Sequence, residues 1–284
     1  MSTQLVWLIT GTSSGFGHVL AQAALRRGDK VIATARAQSL GRIRDLQHLG
    51  ADALALDVTS DPAALALVAE RALALHGRVD VVVNNAGCFH MGTVEETTHE
   101  EAVALFNINV FGAINVARAF LPAMRARGTG TIVWIGSQAS WLDPPVTGFY
   151  GASKAAMRSF ARTLHTEIAP FGLRSFVVEP GAFHTDILEK RPPYEHRIAA
   201  YRPLVDVVEG FVNGLIGNQK GDTEKGCEVI VDLVRGDGVA AGAEVPTVVA
   251  LGSDCVESTI ATLKGSLALA EKWAPISSST DVHS

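Results

Sequence analysis

Residues 5–17 read LVWLITGTSSGFG, and this stretch decides the fold. Leu5 to Thr10 form a continuous apolar run, as expected of a strand that is buried on both faces. Glycines at positions 11, 15 and 17 follow, and a helical pattern then continues to Gly28. Between a strand and a helix, such glycines let the backbone approach a pyrophosphate, to which the helix N-terminus offers unpaired N–H groups. The stretch therefore predicts a dinucleotide-binding turn.

Strand and helix patterns alternate along the rest of the chain. Strands are predicted at 31–35, 53–58, 79–83, 131–135, 175–178 and 247–251. Helices are predicted at about 40–49, from 61 onward, at 98–127 with a break or adjustment near Pro122, at 147–169, at 223–235 and up to about 273. This alternation predicts one α/β domain over residues 1–284, a doubly wound Rossmann-type fold with a mainly parallel seven-stranded sheet and helices on both faces. Residues 187–222 are less regular, and the polar tail 277–284 is expected to fray.

Polar landmarks recur where the predicted strands end. They are Gly11, Arg36, Asp57, Asn85, Ser137 and Pro180. In an open parallel sheet, ligands bind in the crevice outside the carboxyl ends of the strands. The sequence therefore predicts a ligand site at this edge.

Tyr150 and Lys154 lie four residues apart in a predicted helix, so they share one face. A phenol has a pKa near ~10 and is a poor acid or base at neutral pH. A neighbouring ammonium group is expected to lower that pKa toward the range where proton transfer is effective. An isolated Y-x-x-x-K also fits a half-buried tyrosine beside a solvated lysine, so the surrounding residues must decide between the two interpretations.

Composition excludes several classes of protein. A net charge of −5 and a pI near 6.0 give no reason to expect nucleic acid or an anionic membrane as a partner. Cys88, Cys227 and Cys255 lie far apart, which favours free thiols in a reducing, cytoplasmic setting. The longest apolar stretch, 102–117, contains three asparagines, so no membrane span is expected. The nine histidines show no metal-ligand spacing, and no metal is predicted.

Six motifs occur in one order along the chain. They are T-G-x-x-x-G-x-G at 10–17, N-N-A-G at 84–87, Asn109, Ser137 thirteen residues before Tyr150, Y-x-x-x-K at 150–154, and P-G at 180–181. Together they resemble the short-chain dehydrogenase/reductase family, in its ordinary rather than its extended branch. Phe16 and Gly136 depart from the family pattern, which commonly has an aliphatic residue and a serine there.

The resemblance implies a catalytic role for four residues. Tyr150 would be the general acid that protonates a carbonyl oxygen, or the base in the reverse direction. Ser137 would stabilise charge on the same oxygen. Lys154 would lower the pKa of Tyr150 and bind the nicotinamide ribose, and Asn109 would hold a water that relays protons.

The resemblance also implies which residues hold a nicotinamide dinucleotide. Asp57 and Val58 are expected at the adenine, and Thr185 with the Phe183 backbone at the carboxamide. The remaining expected contacts are Gly11, Ser13, Ser14, Gly15, Phe16, Gly17, Arg36, Asn85, Ala86, Gly87, Tyr150, Lys154, Pro180 and Gly181.

Arg36 predicts which dinucleotide is used. NAD enzymes of this layout place an acidic residue near the end of the second strand, whereas an arginine accommodates a 2′-phosphate. Ala35 stands in the acidic position and Arg36 follows it, so NADP(H) is favoured over NAD(H). Ser14 lacks the basic character found in some NADP enzymes, and an exposed arginine without a ligand is the alternative.

Substrate identity is less defined by the sequence. Six aromatic residues fit either an apolar pocket or the core: Phe89, Trp141, Phe149, Tyr194, Tyr201 and Phe211. Residues 187–222 are predicted to form a substrate lid. By resemblance to steroid- and retinol-type enzymes and carbonyl reductases, we expect a hydrophobic ketone, aldehyde or secondary alcohol.

Two other functions remain open at this level. One is a dinucleotide sensor without turnover, and the other is a dehydratase or epimerase on the same scaffold. By resemblance, the chain is expected to form a homodimer or homotetramer through the helices at 98–127 and 147–169.

Overall fold

The computed structural model describes residues 4–282 and has a seven-stranded sheet in the order β3-β2-β1-β4-β5-β6-β7. The strands are β1 (Val6–Ile9), β2 (Lys30–Ala35), β3 (Asp52–Ala55), β4 (Val81–Asn84), β5 (Gly130–Ile135), β6 (Leu173–Pro180) and β7 (Val248–Leu251). The helices are α1 (Gly15–Arg26), α2 (Arg44–His48), α3 (Pro62–His76), α4 (His99–Phe106), α5 (Ala113–Arg127), α6 (Gly148–Ile168), α7 (Arg202–Leu215), α8 (Thr223–Arg235) and α9 (Ser253–Ser277).

Neighbouring strands are parallel throughout the described sheet. Side chains alternate between the faces, so each face buries its own set of residues. One face packs against α1, α2 and α8 and buries Trp7 and Ile9, while the other packs against α3, α5 and α6 and buries Leu8 and Val82. The strand order reverses between β1 and β4, which opens a crevice at their carboxyl ends. The predicted doubly wound fold is confirmed.

The helical segment at 98–127 is interrupted, but not where the sequence suggested. Thr98 and Glu101 form a capping box that starts α4. Residues 107–112 form a π-helix, and α5 then runs through Pro122 to Arg127. The predicted break near Pro122 is therefore wrong in position, because the distortion comes from the π-helical turn. His99–Arg127 is long and apolar enough to cross a membrane by composition, yet 44% of its most apolar window is buried inside the protein.

Two other regions are more regular than the sequence suggested. The predicted lid, 187–222, contains the fourteen-residue helix α7. In the predicted tail, α9 extends to Ser277 and a 3-10 turn covers Ser278–Thr280, while residues 283 and 284 lie outside the described part of the chain. Strand β3 ends at Ala55, so Asp57 follows the strand instead of closing it.

Candidate active site

The glycine turn and the N-N-A-G turn are built against each other. Gly11 has φ of 70°, and a Cβ on it would lie 2.9 Å from the Ala86 Cα. A Cβ on Gly17 would lie 2.3 Å from the Asn85 Nδ2. That amide donates to the Thr10 carbonyl at 2.7 Å, while the Thr10 hydroxyl accepts from the Asn85 and Ala86 backbone N–H groups. Each motif therefore makes room for the other and holds it in place.

The P-G segment after β6 closes over the glycine turn. A Cβ on Gly181 would clash with the Asp254 carboxylate, which accepts from the Ala182 N–H at 2.7 Å. Phe183 packs edge-on against Phe16 with ring centroids 5.1 Å apart. This contact explains why an aromatic residue at position 16 is tolerated.

A cavity of about 500 Å³ lies between these two turns. It is lined by Ser13, Ser14, Gly15, His18, Val19, His184, Thr185, Asp186, Glu189, Gly217 and Gln219. Gly15 has φ of 59°, and the nearest atoms to a Cβ there belong to Asp186 and Thr185, at 3.5 and 3.6 Å. The structure thus brings predicted contacts from both motifs to one cavity at the start of α1.

Tyr150 and Lys154 lie on the buried face of α6, below the end of β5. The Lys154 Nζ donates to the Ile135 carbonyl at 2.9 Å and lies 6.0 Å from the centroid of the Tyr150 ring. The Tyr150 side chain is hydrogen-bonded to that of Ser137 and packs edge-on against Phe89 at 4.8 Å. Ser137 follows β5 directly and caps the 3-10 turn at 138–140. The structure therefore brings the three predicted catalytic side chains together.

The ionisation of this pair differs from the sequence-based expectation. Burial raises the pKa of Tyr150 to about 12, against a smaller opposing effect of the hydrogen bond to Ser137. Burial also lowers the pKa of Lys154 to about 8, with Cys88 and Glu179 opposing that change. Lys154, whose Nζ lies 6.0 Å from the ring centroid, does not reverse the effect of burial on the phenol. At neutral pH, Tyr150 holds its proton and is placed to act as an acid.

Asn109 lies in the π-helical turn and is buried. Its Nδ2 donates to the Cys88 carbonyl at 3.0 Å and to the Ser153 hydroxyl at 3.1 Å, while its Oδ1 accepts from the Cys88 N–H at 2.9 Å. A π-helical turn inside an α-helix is common at functional sites, because it shifts one residue out of the regular pattern. The side-chain amide thus holds the turn that follows N-A-G through Cys88 and joins it to α6 through Ser153. Ser153 was missed by the sequence analysis, although it lies between Tyr150 and Lys154.

The residues predicted to bind the adenosine end lie after β2 and β3. Arg36 is exposed, and no carboxylate of residues 4–282 lies within ion-pair distance of it. The charges of Lys154 and Arg36 both oppose the rise that burial causes in the pKa of Cys88. The Asp57 carboxylate accepts from the Thr59 N–H at 2.9 Å, which fixes the turn after β3. Val58 is buried.

Glu179 is a site residue that the sequence analysis missed. It is fully buried, one residue before Pro180, and accepts hydrogen bonds from the Ser140 hydroxyl and the Trp141 indole. Burial raises the pKa of Glu179, while Ser140, Arg158 and Trp141 oppose the rise. A lone carboxylate in the apolar run 175–180 is the sequence signal that identifies it.

The segment predicted as a lid packs against Phe89, which contacts Tyr150, in a small apolar cluster. This lid cluster consists of Phe89, Met91, Val146, Leu188, Tyr194, Tyr201, Val205, Val208 and Val212. Three of the six predicted aromatics are therefore in it. Trp141 instead contacts Glu179, and Phe211 is 68% exposed, so Phe211 does not line a pocket in this structure.

The buried carboxylate of Glu96 binds several groups of the lid. Glu96 accepts from the Tyr194 hydroxyl, from the Arg197 N–H at 3.1 Å and from the Ile198 N–H at 2.8 Å. It also accepts from the Thr93 hydroxyl at 2.8 Å. Burial alone would raise its pKa, but these hydrogen bonds lower it to about 2. Glu96 joins the segment before α4 to the lid, about one hundred residues later.

Val146 forms part of the same wall in an unusual backbone conformation. Its φ is 68°, which is rare for a β-branched residue, and its side chain is buried. The Val146 carbonyl accepts from the Gly92 N–H at 2.7 Å. This bond ties the loop before α6 to the segment after Phe89, so both sides of the wall over Tyr150 are held together.

One group of side chains has metal-ligand chemistry within the described residues. Ligand atoms of His196, Asp206 and Glu209 lie within 4.8 Å of one another on the lid. His196 and Asp206 are exposed, and exposed acidic groups often cluster without an ion. We assign no metal to them.

Comparison with known proteins identifies close relatives. Residues 5–195 match the sequence model of the family described as short chain dehydrogenase. A solved short-chain dehydrogenase from Streptomyces avermitilis superposes with a TM-score of 0.87 at 38% identity, covering 98% of this chain and 100% of that chain. Serine dehydrogenase in complex with NADP+ superposes with a TM-score of 0.70 at 26% identity, covering 87% and 94%.

A curated relative adds a reductase of known name. The 3-ketodihydrosphingosine reductase of Bacteroides thetaiotaomicron is 36% identical over 193 residues, which is 67% of this chain and 68% of that protein. The matched region spans about two thirds of the curated relatives' own length. The match to the family model ends at residue 195, inside the segment predicted as a lid.

Proposed function

The chain belongs to the short-chain dehydrogenase/reductase family of oxidoreductases, and from that premise we propose that it is an NADP(H)-dependent carbonyl reductase or alcohol dehydrogenase. The proposal rests on the buried Tyr150. This side chain is hydrogen-bonded to Ser137, which follows β5, and lies one turn of α6 from Lys154. A protonated phenol beside a second hydroxyl donor is suited to receiving a carbonyl oxygen.

The turns at the strand ends fit a nicotinamide dinucleotide. Positive φ at Gly11 and Gly15 exposes backbone N–H groups at the start of α1, where phosphates bind well. The adjoining cavity, which includes Ser13, Ser14 and Thr185, supports placing the pyrophosphate there. When bound, the nicotinamide supplies the hydride. The protein binds, orients and protonates.

The preference for NADP(H) over NAD(H) rests on Arg36. Its guanidinium is exposed and has no carboxylate partner within the described residues, so its donors are available to a 2′-phosphate. Ala35 precedes it and is buried, which leaves no acidic group at the end of β2 to repel that phosphate.

In reduction, Tyr150 donates its phenolic proton to the carbonyl oxygen and Ser137 donates a second hydrogen bond to the same atom. The Lys154 ammonium stabilises the phenolate that forms, because an opposite charge nearby favours the ionised phenol. Because the side-chain amide of Asn109 is already committed to Cys88 and Ser153, a water relay at Asn109 uses its backbone carbonyl.

We propose a hydrophobic ketone, aldehyde or secondary alcohol as substrate. The wall next to Tyr150 is apolar, since Phe89 contacts the tyrosine ring and leads into the lid cluster. The relative named as a 3-ketodihydrosphingosine reductase supports a carbonyl group attached to a long apolar body.

A cytoplasmic homodimer or homotetramer completes the proposal. All three cysteines are free thiols, which suits a reducing compartment. Phe111 and Phe160 are about half exposed on the helical face formed by 107–112 and α6, which supports self-association through these helices.

The test is a panel of ketones, aldehydes and secondary alcohols, with NADPH and NADH followed by absorbance. We expect NADPH-dependent reduction of large apolar carbonyl compounds. Tight NADPH binding without turnover of any compound would indicate a sensor, and substrate conversion without net NADPH consumption would indicate a dehydratase or epimerase.

A further inference from the structure

The second half of α9 projects away from the body of the protein. Every residue from 263 to 282 is exposed. Among the described residues of α9, only Cys255 is buried. Residues 263–277 alone form about 22 Å of helix at 1.5 Å per residue. A helix of this length is marginal in water without packing. Its apolar surface therefore points to a partner.

An uncharged apolar seam runs the length of α9. It consists of Val256, Ile260, Leu263, Leu267, Ala270 and Ala274, spaced four and three residues apart. This spacing is the a/d pattern of a coiled coil. The large members of the seam are between 41% and 59% exposed. Glu257, Lys264 and Glu271 recur every seven residues along one edge of the seam.

We propose that this seam packs antiparallel against α9 of a second copy of the chain, about a two-fold axis between residues 268 and 269. In this register, Leu263 packs against the partner's Ala274 and Leu267 against the partner's Ala270. Each layer then joins one large and one small side chain, and the two-fold axis repeats both layers. The surface is distinct from the face of Phe111 and Phe160.

The flanking charges select this register. Lys264 lies beside the partner's Glu271, and symmetry produces the pair twice. A shift of one heptad toward the N-terminus puts Lys264 beside the partner's Lys264, and a shift the other way puts Glu271 beside the partner's Glu271. If the two α9 helices packed in parallel, Lys264 and Glu271 would lie beside only threonine and serine side chains of the partner.

Charge reversal tests this pairing in the full-length chain by sedimentation equilibrium. We expect Lys264→Glu and Glu271→Lys each to weaken self-association roughly tenfold, because two attractive pairs become repulsive. The double variant Lys264→Glu/Glu271→Lys should restore it. Lys272→Glu, on the outer side of the same helix, is the matched control and should leave association unchanged.

Two results would overturn the proposal. One is equal association of the wild type and both single variants, and the other is a double variant as weak as the singles. The competing occupant is a membrane surface, which flotation with phosphatidylcholine/phosphatidylglycerol vesicles detects. If the wild type binds vesicles and Leu263→Asp/Leu267→Asp abolishes this binding without changing the assembly size, the seam binds lipid. That result would reject the paired-helix model.

Glu179 supports a second, independent inference. Its carboxylate holds the segment after Ser137, accepting from Ser140 and Trp141. The guanidinium of Arg158 lies 3.7 Å from that carboxylate, stacks 3.7 Å above the Trp141 ring and donates to the Ser140 carbonyl at 3.0 Å. The turn is therefore bound on both sides.

The same side chain explains the glycine before Ser137. A Cβ on Gly136 would lie 2.7 Å from the Glu179 Cγ and 3.0 Å from the Val177 Cγ2. Position 136 thus departs from the family pattern because Glu179 occupies the space that a side chain there would need. We infer that Glu179 is a positioning residue that fixes the Ser137 hydroxyl for the reaction, an inference that rests on the proposed role of Ser137.

A double-mutant cycle tests this role. We expect Glu179→Gln to lower kcat about tenfold, part of the roughly 100-fold lost with a missing oxyanion donor, with an unchanged dissociation constant for NADPH. In a Ser137→Ala background, the same change should alter kcat less than about twofold, because the serine it positions is gone. Gly136→Ala should produce the loss from the other side of the contact.

The outcomes separate this inference from the proposed function. A full rate for Ser137→Ala would remove the proposed function itself. A lowered rate for Ser137→Ala, with Glu179→Gln either fully active or equally harmful in both backgrounds, would reject only the positioning role.

Discussion

The strand-end site and the lid are constructed in different ways. At the strand ends, backbone turns are so closely packed that a Cβ on Gly17 would lie 2.3 Å from Asn85. In the lid, Gly210 and Gly214 of α7 have no atom within 4 Å of such a Cβ. The lid is held instead by side-chain contacts, chiefly those to Glu96. The first region is fixed by steric fit between backbone turns, while the second is held by side-chain hydrogen bonds and the apolar lid cluster.

Two tyrosines make the largest test of this difference. Tyr150→Phe removes the proposed proton donor of the strand-end site and should lower kcat about 10²- to 10⁴-fold, with NADPH affinity unchanged. Tyr194→Phe removes a hydroxyl that bonds Glu96 in the lid, and should change kcat less than about fivefold. Steady-state kinetics and NADPH fluorescence titration measure both. Comparable losses of kcat in the two variants would contradict the assignment of a catalytic role to Tyr150 and a structural role to Tyr194.

Arg36→Ala should produce the next largest effect. Removing charged hydrogen bonds worth about 1.5–3 kcal/mol predicts NADPH binding weakened about 10- to 100-fold, with little change for NADH. Arg71→Ala, which removes an exposed arginine of α3, is the control for general charge effects. Equal weakening of NADPH and NADH would mean that the phosphate is bound elsewhere.

The strand-end residues could be predicted because their signals are local. Ser137, Tyr150 and Lys154 follow fixed spacings, and the glycine turn stands between a strand and a helix. Their placement follows from the parallel sheet, which carries all strand ends to one edge. The family and the fold class were therefore correctly predicted from the sequence.

Contacts between distant segments could not be predicted in this way. Glu179 bonds Ser140 across 39 residues, and Glu96 bonds Tyr194 across 98. Neither pair leaves a periodic pattern, because each forms only after the sheet and lid have packed. The π-helical turn at 107–112 adds one residue to a helix, and its asparagines and Gly112 also occur in regular helices, so the sequence predicts the distortion at Pro122 instead.

The pH dependence should also separate the two regions. The pKa of Lys154 is lowered to about 8, so the ammonium is present below that pH and is lost above it. Tyr150, with a pKa near about 12, still holds its proton there. The kcat for reduction should therefore fall roughly tenfold between pH 8 and pH 9.5. Glu96 stays ionised across this range, so the resistance of the lid to proteolysis should stay constant. A kcat that does not change up to pH 10 would exclude Lys154 as the titrating group.

Glu96→Gln should loosen the lid without disturbing the strand ends. A neutral amide weakens the bonds from Tyr194, Arg197 and Ile198, so limited proteolysis within 187–222 should become about fivefold faster. Bound NADPH should slow cleavage in the wild type if the lid closes over the cofactor. Glu95→Gln, which affects an exposed carboxylate bonded to Tyr201, is the matched control and should have a smaller effect. Unchanged cleavage in Glu96→Gln would show that apolar packing alone holds the lid.

The smallest effect should come from placing a methyl group on each region's glycine. Gly210→Ala in α7 meets open space, and the gain in helix propensity should raise the free energy of unfolding by about 0.5–1 kcal/mol. Gly17→Ala makes the same chemical change in α1, where the methyl group collides with Asn85, and stability and NADPH affinity should both fall. Thermal unfolding with and without NADPH distinguishes the two. If both variants shifted the midpoint in the same direction, steric fit would not be what separates the strand-end site from the lid.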